Sequence, residues 1–290
     1  MSAITRTLEA GVVTLTIDQP DQKVNILSTS LWKELGSHLE EVGKLECRGV
    51  IIQSGKSGNF LAGADLKELS GEPSATDVRN FIDRGHRVLF QLEELSCPTV
   101  ACIDGAALGG GFELAMACDY RLIGSSPKWK LGMPELNLGV IPGWGGTQRL
   151  PRYVGIEEAI MRLISGESYD PQDLPPEDFI SDYVESGDFQ SAIEACLQRT
   201  DWQQRRAAKQ APLSKEELPD LDDMLENLQE SLAELDQQII PVALSLISLV
   251  VTGCLSSLRE GIANETELFV ELATQPLAQQ RIAAFLNRKK

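Results

Sequence analysis

The sequence predicts an α/β fold with parallel strand pairing, followed by an α-helical C-terminal region. Two observations carry this expectation. Short β-rich runs alternate with helix-period segments through the first half, as in strands linked by right-handed crossovers. From residue 155 onward the pattern changes to helices alone. A third feature, three consecutive glycines at Gly109, Gly110 and Gly111, sits where an apolar run opens into a helical pattern and marks where chemistry is expected.

In chain order, strands are expected at Val12–Ile17, 49–53, Thr99–Ile103 and Tyr120–Ile123, each a short run rich in β-branched or aromatic residues. Helices are expected at Thr29–Val42, 76–95 and 111–118. The helix Ile156–Ser165 stops at Gly166, a residue suited to a left-handed cap. Residues 168–187 are acidic and contain Pro171, Pro175 and Pro176, which predicts turns plus a short helix. One further helix is expected over 189–202, then a polar linker over 211–223 with Pro212 and Pro219. Helices follow at 224–238, 241–255, 257–271 and 277–287. The expected division is a core of residues 1–195 and a helical region of residues 196–290.

Composition narrows the function. The 290 residues are 42% hydrophobic and 24% charged, ordinary for a globular protein. The net charge of −17 argues against a nucleic-acid partner, because a phosphate backbone rewards Lys and Arg. The most apolar run, 239–255, is shorter than the roughly 20 residues a membrane helix needs. It also carries Pro241, Ser245, Ser248 and Thr252, so a buried helix is expected and no membrane span. Six cysteines show no C-x-x-C pair and no ligand pattern with either histidine, and Cys97, Cys102 and Cys118 lie in apolar runs. Buried free thiols and a reducing, cytoplasmic location are the expectation. Residues 1–11 have no apolar core and run straight into a strand, leaving little room for a targeting peptide.

The segment AALGGGFELAMACD at residues 106–119 suggests a reaction. Glycines let a ligand approach the backbone, and a helix beginning there points N–H groups at developing negative charge. Glu113 falls in the first turn of that helix. Amide donors beside a carboxylate suit acyl chemistry through an enolate-like intermediate. Each feature also has a plainer reading: a tight strand-to-helix turn, and a carboxylate favoured by the helix dipole.

This run resembles the signature of the crotonase (enoyl-CoA hydratase/isomerase) superfamily. FLAGAD at residues 60–65 is similar to the family's first oxyanion loop, MPEL at 133–136 to its second carboxylate motif, and LGVIPG at 138–143 with GGTQRL at 145–150 to the loop and helix closing the pocket. The resemblance implies a right-handed spiral of ββα turns. It assigns the oxyanion donors to the amides of Ala64 and Gly110, water activation to Glu113 with the amide of Gly143, and proton transfer at Cα to Glu135. Coenzyme A would be wrapped by the loop containing Ala62, Ala64, Asp65 and Leu66. Asp65 has an alternative role as the cap of a helix starting near Lys67.

By the same resemblance the expected activity is enoyl-CoA hydration in fatty-acid β-oxidation, because both glutamates are retained. The alternatives are Δ3-Δ2-enoyl-CoA isomerisation, which needs only Glu135, and a non-catalytic CoA-binding subunit. No metal and no other cofactor are implied, since coenzyme A enters as part of the acyl-CoA thioester substrate. A homo-oligomer or a subunit of a β-oxidation complex is expected. The C-terminal helices are similar to the linker after the hydratase half of multifunctional β-oxidation α-subunits, so the chain is either a stand-alone relative or a piece of something longer.

The remaining candidates are less defined. Lys56, Lys67, Arg84 and Arg87 are candidates for the coenzyme A phosphates. Trp144 either lines an acyl tunnel or packs beneath its loop, and Trp129 reads as a partly exposed strand aromatic. His38 and His86 fall on polar helix faces far from any motif, which leaves a Ser-His-Asp or zinc site poorly supported.

Overall fold

The computed structural model describes residues 2–124, 130–170, 179–184, 188–214 and 218–288. In chain order the elements are β1 (Ile4–Glu9), β2 (Val12–Ile17), α1 (Thr29–Val42), β3 (Gly49–Ser54), β4 (Gly58–Leu61), α2 (Ala75–Glu93), β5 (Thr99–Ile103), β6 (Gly105–Leu108), α3 (Gly110–Ala117), β7 (Tyr120–Ile123) and β8 (Leu131–Gly132). A 3-10 turn (Pro134–Leu138) precedes α4 (Gly146–Arg149), α5 (Pro151–Val154), α6 (Ile156–Ser165), β9 (Ser168–Tyr169) and β10 (Asp182–Tyr183). The chain continues through α7 (Gln190–Gln198), α8 (Trp202–Gln210), α9 (Leu221–Ala233), α10 (Ile240–Cys254), α11 (Leu258–Ala273) and α12 (Pro276–Arg288). These elements gather into two compact units, the first drawn from residues 1–64, 84–131 and 169–207, the second from residues 65–83, 132–168 and 208–290.

The first unit holds a sheet of order β1-β2-β3-β5-β7-β10, antiparallel at β1–β2 and parallel from β2 onward. A second parallel pairing, β4 with β6, is built from the strands that follow β3 and β5. Each pass of chain therefore adds one strand to each pairing before a helix begins, the ββα repeat expected above. Strand β1 went unread in the sequence because five of its six residues are exposed, so no apolar run betrays it. Its hairpin to β2 turns on Ala10 (φ 49°) and Gly11 (φ 80°), the two positive-φ positions a tight two-residue loop requires.

Alternation at period two gives the sheet its core. Ile51, Val100, Cys102, Tyr120 and Leu122 are buried in one cluster with Ala192 and Cys196 of α7. Each fully buried aliphatic side chain contributes roughly 1.5–3 kcal/mol. Helix α1 matches its expected bounds. Ser28 caps it by accepting from the Leu31 N–H at 3.2 Å, and Leu31, Leu35, Leu39 and Val42 form its buried stripe.

Two expectations are corrected. Residues 189–202 are not one helix: α7 ends at Gln198, Arg199 is extended (ψ 146°), and α8 starts at Trp202. Asp201 makes the break favourable. Its carbonyl accepts the Arg205 N–H, and its carboxylate accepts from Arg199, Arg205 and the Tyr120 hydroxyl, the last at 2.7 Å. The polar stretch 211–223 is shorter as a linker than expected, since α9 already starts at Leu221. Residues 125–129, with Trp129, and residues 171–178 and 185–187 of the proline-rich stretch lie outside the described residues.

The second unit is mainly helical. The apolar run 239–255 becomes α10, which buries Val242, Ala243, Leu246, Leu249 and Val250 and packs on α11, α6 and α4. No described helix is long and apolar enough to cross a membrane.

Candidate active site

In the first unit, the ends of β4 and β6 lie side by side and each runs into a glycine turn. After β4 the chain passes through Ala62, Gly63 and Ala64. After β6 it passes through Gly109 (φ 50°, ψ −126°) into α3. The two turns touch through backbone. A Cβ on Gly111 would lie 2.3 Å from the Leu61 carbonyl oxygen, and one on Gly63 (φ 87°) would lie 3.1 Å from the Leu108 carbonyl oxygen and 3.9 Å from the Gly110 nitrogen. Only glycine permits this approach. Among the described residues, neither the Ala64 nor the Gly110 N–H donates to an acceptor of the protein.

A buried asparagine braces the Ala62–Ala64 turn. Asn25 is 0% exposed. Its carbonyl oxygen accepts the Ala62 N–H (2.8 Å), and two residues on, the Leu27 N–H donates to Gly63 O (2.8 Å). The side-chain amide donates to Ile17 O (2.7 Å) and Ser54 Oγ (2.9 Å) and accepts the Gln19 N–H (2.9 Å). The Asn25 N–H in turn donates to Asn59 Oδ1 on β4 (2.8 Å). Sequence reasoning passed over Asn25, whose partners are dispersed between residues 17 and 62.

Helix α3 has no exposed face: every residue from Gly110 to Ala117 is buried. Glu113 is 1% exposed in its first turn, where the helix dipole favours negative charge. At the other end, the fully buried Arg121 guanidinium donates to the carbonyls of Ala115 (3.2 Å) and Cys118 (2.7 Å), groups the helix leaves open. Both ends of α3 therefore carry a complementary charged side chain.

The second unit contains Asp65, Leu66, Glu135 and Gly143. Asp65 does cap, but it caps a turn and no helix: its carboxylate accepts the Lys67 N–H at 3.1 Å and its carbonyl the Glu68 N–H at 3.0 Å. Glu135 is half-buried on the 3-10 turn, which Gly139 closes in the left-handed conformation (φ 77°). Beyond it, Trp144 packs beneath the loop. Its ring lies 5.2 Å from Phe81 and its Nε1 donates to Ile82 O at 3.1 Å. Sequence reasoning passed over Glu265 on α11. It is 0% exposed and accepts the N–H groups of Gly145 (2.6 Å) and Thr147 (3.0 Å) and the Thr147 hydroxyl.

Of the basic candidates, Lys56 is paired with Asp18 at 2.7 Å, while Lys67 and Arg87 are exposed. His86 is not on a polar face. It is 6% exposed within the buried stripe of α2 and stacks on Phe90 at 6.1 Å. Cys97, Cys102 and Cys118 are buried free thiols, and burial pushes the Cys97 thiol up to about 12. Among the described residues no cluster of His, Cys, Asp and Glu could hold a metal ion.

Comparison with known proteins accounts for this arrangement. The family profile "Enoyl-CoA hydratase/isomerase" matches residues 7–217. A fatty acid oxidation complex subunit alpha from Shewanella loihica is 35% identical over 278 residues, covering 91% of this chain and 38% of that protein. The chain thus spans well under half the length of such relatives. The structure of an enoyl-CoA hydratase from Bacillus anthracis aligns with a TM-score of 0.62 and 26% identity, covering 91% of this chain and 92% of that one. Human mitochondrial delta3-delta2-enoyl-CoA isomerase aligns with a TM-score of 0.72 over 99% of this chain and 98% of that one, and at 22% identity it shows a shared fold. The paired glycine turns, the ββα passes and the family match agree: the chain has the crotonase fold and belongs to the enoyl-CoA hydratase/isomerase family.

Proposed function

We propose that this chain is an enoyl-CoA hydratase, adding water across the double bond of a trans-2-enoyl-CoA to give the 3-hydroxyacyl-CoA in fatty-acid β-oxidation. The observation that carries the reading is the pair of turns in the first unit, with Gly111 set close against the Leu61 carbonyl and a buried Glu113 in the first turn of α3. The amides of Ala64 and Gly110 would hold the thioester oxygen as charge develops on it, each worth about 3 kcal/mol of barrier. Glu113, with the Gly143 amide, would take a proton from water as its oxygen bonds to C3. Glu135 would deliver a proton to C2. Both glutamates are present, and hydration needs both whereas isomerisation needs one. The backbone of Ala62, Ala64, Asp65 and Leu66 would wrap coenzyme A, which arrives as part of the substrate. In this scheme the two glutamates carry the proton transfers and the two amides the oxyanion, and no further cofactor is invoked. The name shared by the Shewanella relatives supports placement in a fatty-acid oxidation complex, and that complex is the proposed partner.

The test is steady-state hydration of crotonyl-CoA. Glu113→Gln and Glu135→Gln should each lower kcat on the order of 10²–10⁴-fold. Isomerisation of a 3-enoyl-CoA that survives Glu113→Gln but not Glu135→Gln would move the assignment to an isomerase. Tight acyl-CoA binding without turnover of either substrate would leave a binding subunit.

A further inference from the structure

The geometry points to Glu265 as a positioning residue for the water-adding half of the reaction. This rests on the reading of Gly143 as the water-positioning amide. Helix α11 turns a buried stripe, Leu258, Ile262, Glu265, Phe269 and Ala273, into the second unit. Glu265 is the one carboxylate in that stripe, and it is fully buried. One of its oxygens accepts the Gly145 N–H at 2.6 Å, and the other accepts the Thr147 N–H at 3.0 Å and the Thr147 hydroxyl. These N–H groups open α4 and have no helical acceptor of their own, so the carboxylate is the cap that the local sequence does not provide.

One helical turn further, Phe269 packs against Gly143. A Cβ on Gly143 would lie 2.8 Å from Phe269 Cδ2 and 3.0 Å from Ile82 Cδ1. Trp144, between the two contacts, is fixed through its Nε1 on Ile82 O (3.1 Å) and through its own carbonyl, which accepts Arg149 Nη1 (2.8 Å). The backbone from Gly143 to Thr147 is thus held by α11 at both ends and by Trp144 in the middle. A buried carboxylate cannot exchange its partners for water, so the direction of the Gly143 N–H is set by a side chain 122 positions away, two more than the separation of 120 between Glu265 and Gly145. Glu265 touches no substrate in this scheme and acts through the loop it fixes.

The experiment compares wild type with Glu265→Gln, in which one oxygen acceptor becomes a donor facing N–H groups. Glu267→Gln, on the same helix and exposed, is the control. Crotonyl-CoA hydration should fall on the order of 10–100-fold in kcat, as expected for a misplaced group remote from the reacting atoms. KM should stay within about threefold. Calorimetric binding of a saturated acyl-CoA should keep its stoichiometry and affinity. Hydrogen exchange of residues 141–150 should speed up in the variant. Unchanged kcat, or a kcat that falls in step with the acyl-CoA stoichiometry, overturns the proposal, the latter by showing that the chain merely unfolds. Wild type without hydratase activity would defeat the functional reading instead, and the exchange measurement would still decide whether Glu265 fixes the loop. If Glu265→Gln does not fold, Thr147→Val removes the hydroxyl's bond to the carboxylate, together with the one it accepts from Gln148 Nε2 (3.0 Å), and should show the same two signals at smaller amplitude, about threefold in kcat.

Discussion

Two glycine-rich turns in this chain open helices, and their amides meet opposite fates. The turn at Gly109–Gly111 starts α3, and its Gly110 N–H has no acceptor among the described residues. The turn at Gly145–Gly146 starts α4, and there Glu265 takes up the Gly145 and Thr147 N–H groups. From the sequence the two look alike. What separates them is whether the fold supplies its own carboxylate. A protein that satisfies every helix N-terminus internally has none left for a ligand, so the open turn is the informative one.

The sharpest way to break this comparison is to fill the first turn. Gly111→Ala places a methyl group 2.3 Å from the Leu61 carbonyl oxygen and 2.8 Å from its carbonyl carbon, both backbone atoms that cannot rotate away. Overpacking against backbone should cost about 3 kcal/mol or more, read as a lower urea midpoint with an unchanged m-value. A variant as stable as wild type would mean that β4 and α3 are not in this backbone contact.

Removing the second turn's carboxylate ranks next. Glu265→Ala leaves two buried N–H groups and one hydroxyl without their acceptor, and should cost about 2–3 kcal/mol in the same measurement. Asn25→Ala follows at about 2 kcal/mol, because the buried Gln19 N–H loses its acceptor and Ser54 Oγ loses a donor, while the Ile17 carbonyl keeps the Gly55 N–H and the backbone bond from Ala62 remains. If Asn25→Ala costs more than Glu265→Ala, the Ala62–Ala64 turn beside the open one is braced more strongly than the closed turn.

The same contrast explains what could be read from the sequence. The α3 turn was legible because its glycines and Glu113 are contiguous, and local geometry follows from local residues. Strands β2, β3, β5 and β7 were legible for the same reason, each a short β-rich run. Glu265 was not, since it meets Gly145 across 120 residues and its neighbourhood reads as an ordinary polar helix segment. A signal was present. Glu265 falls on the apolar stripe of α11, three residues after Ile262 and four before Phe269, where a carboxylate is costly unless it is hydrogen-bonded. The break between α7 and α8 was hidden in a similar way, because the Asp201 carboxylate is held by side chains on β7 and on both flanking segments. His86 was misjudged for want of the α2 stripe: the charged residues around it suggested a polar face, yet it packs inward on Phe90.

The smallest expected effect comes from an exposed glutamate on α11. Glu267 lies two residues beyond Glu265 but faces solvent, 69% exposed, and pairs with Arg79 at 2.6 Å. The hydrogen bond from Arg79 holds the Glu267 carboxyl below its ordinary value. A depressed folded-state pKa means that any stabilisation is present above the unfolded value and is lost as pH falls through the folded one. Solvent screens the pair, so Glu267→Gln should cost no more than about 0.5 kcal/mol at neutral pH, and less in added salt. Thermal melts at two salt concentrations and at neutral and acid pH would check both trends. A loss comparable to that of Glu265→Ala would show that charge on α11, and not its position on the buried stripe, holds the second turn in place.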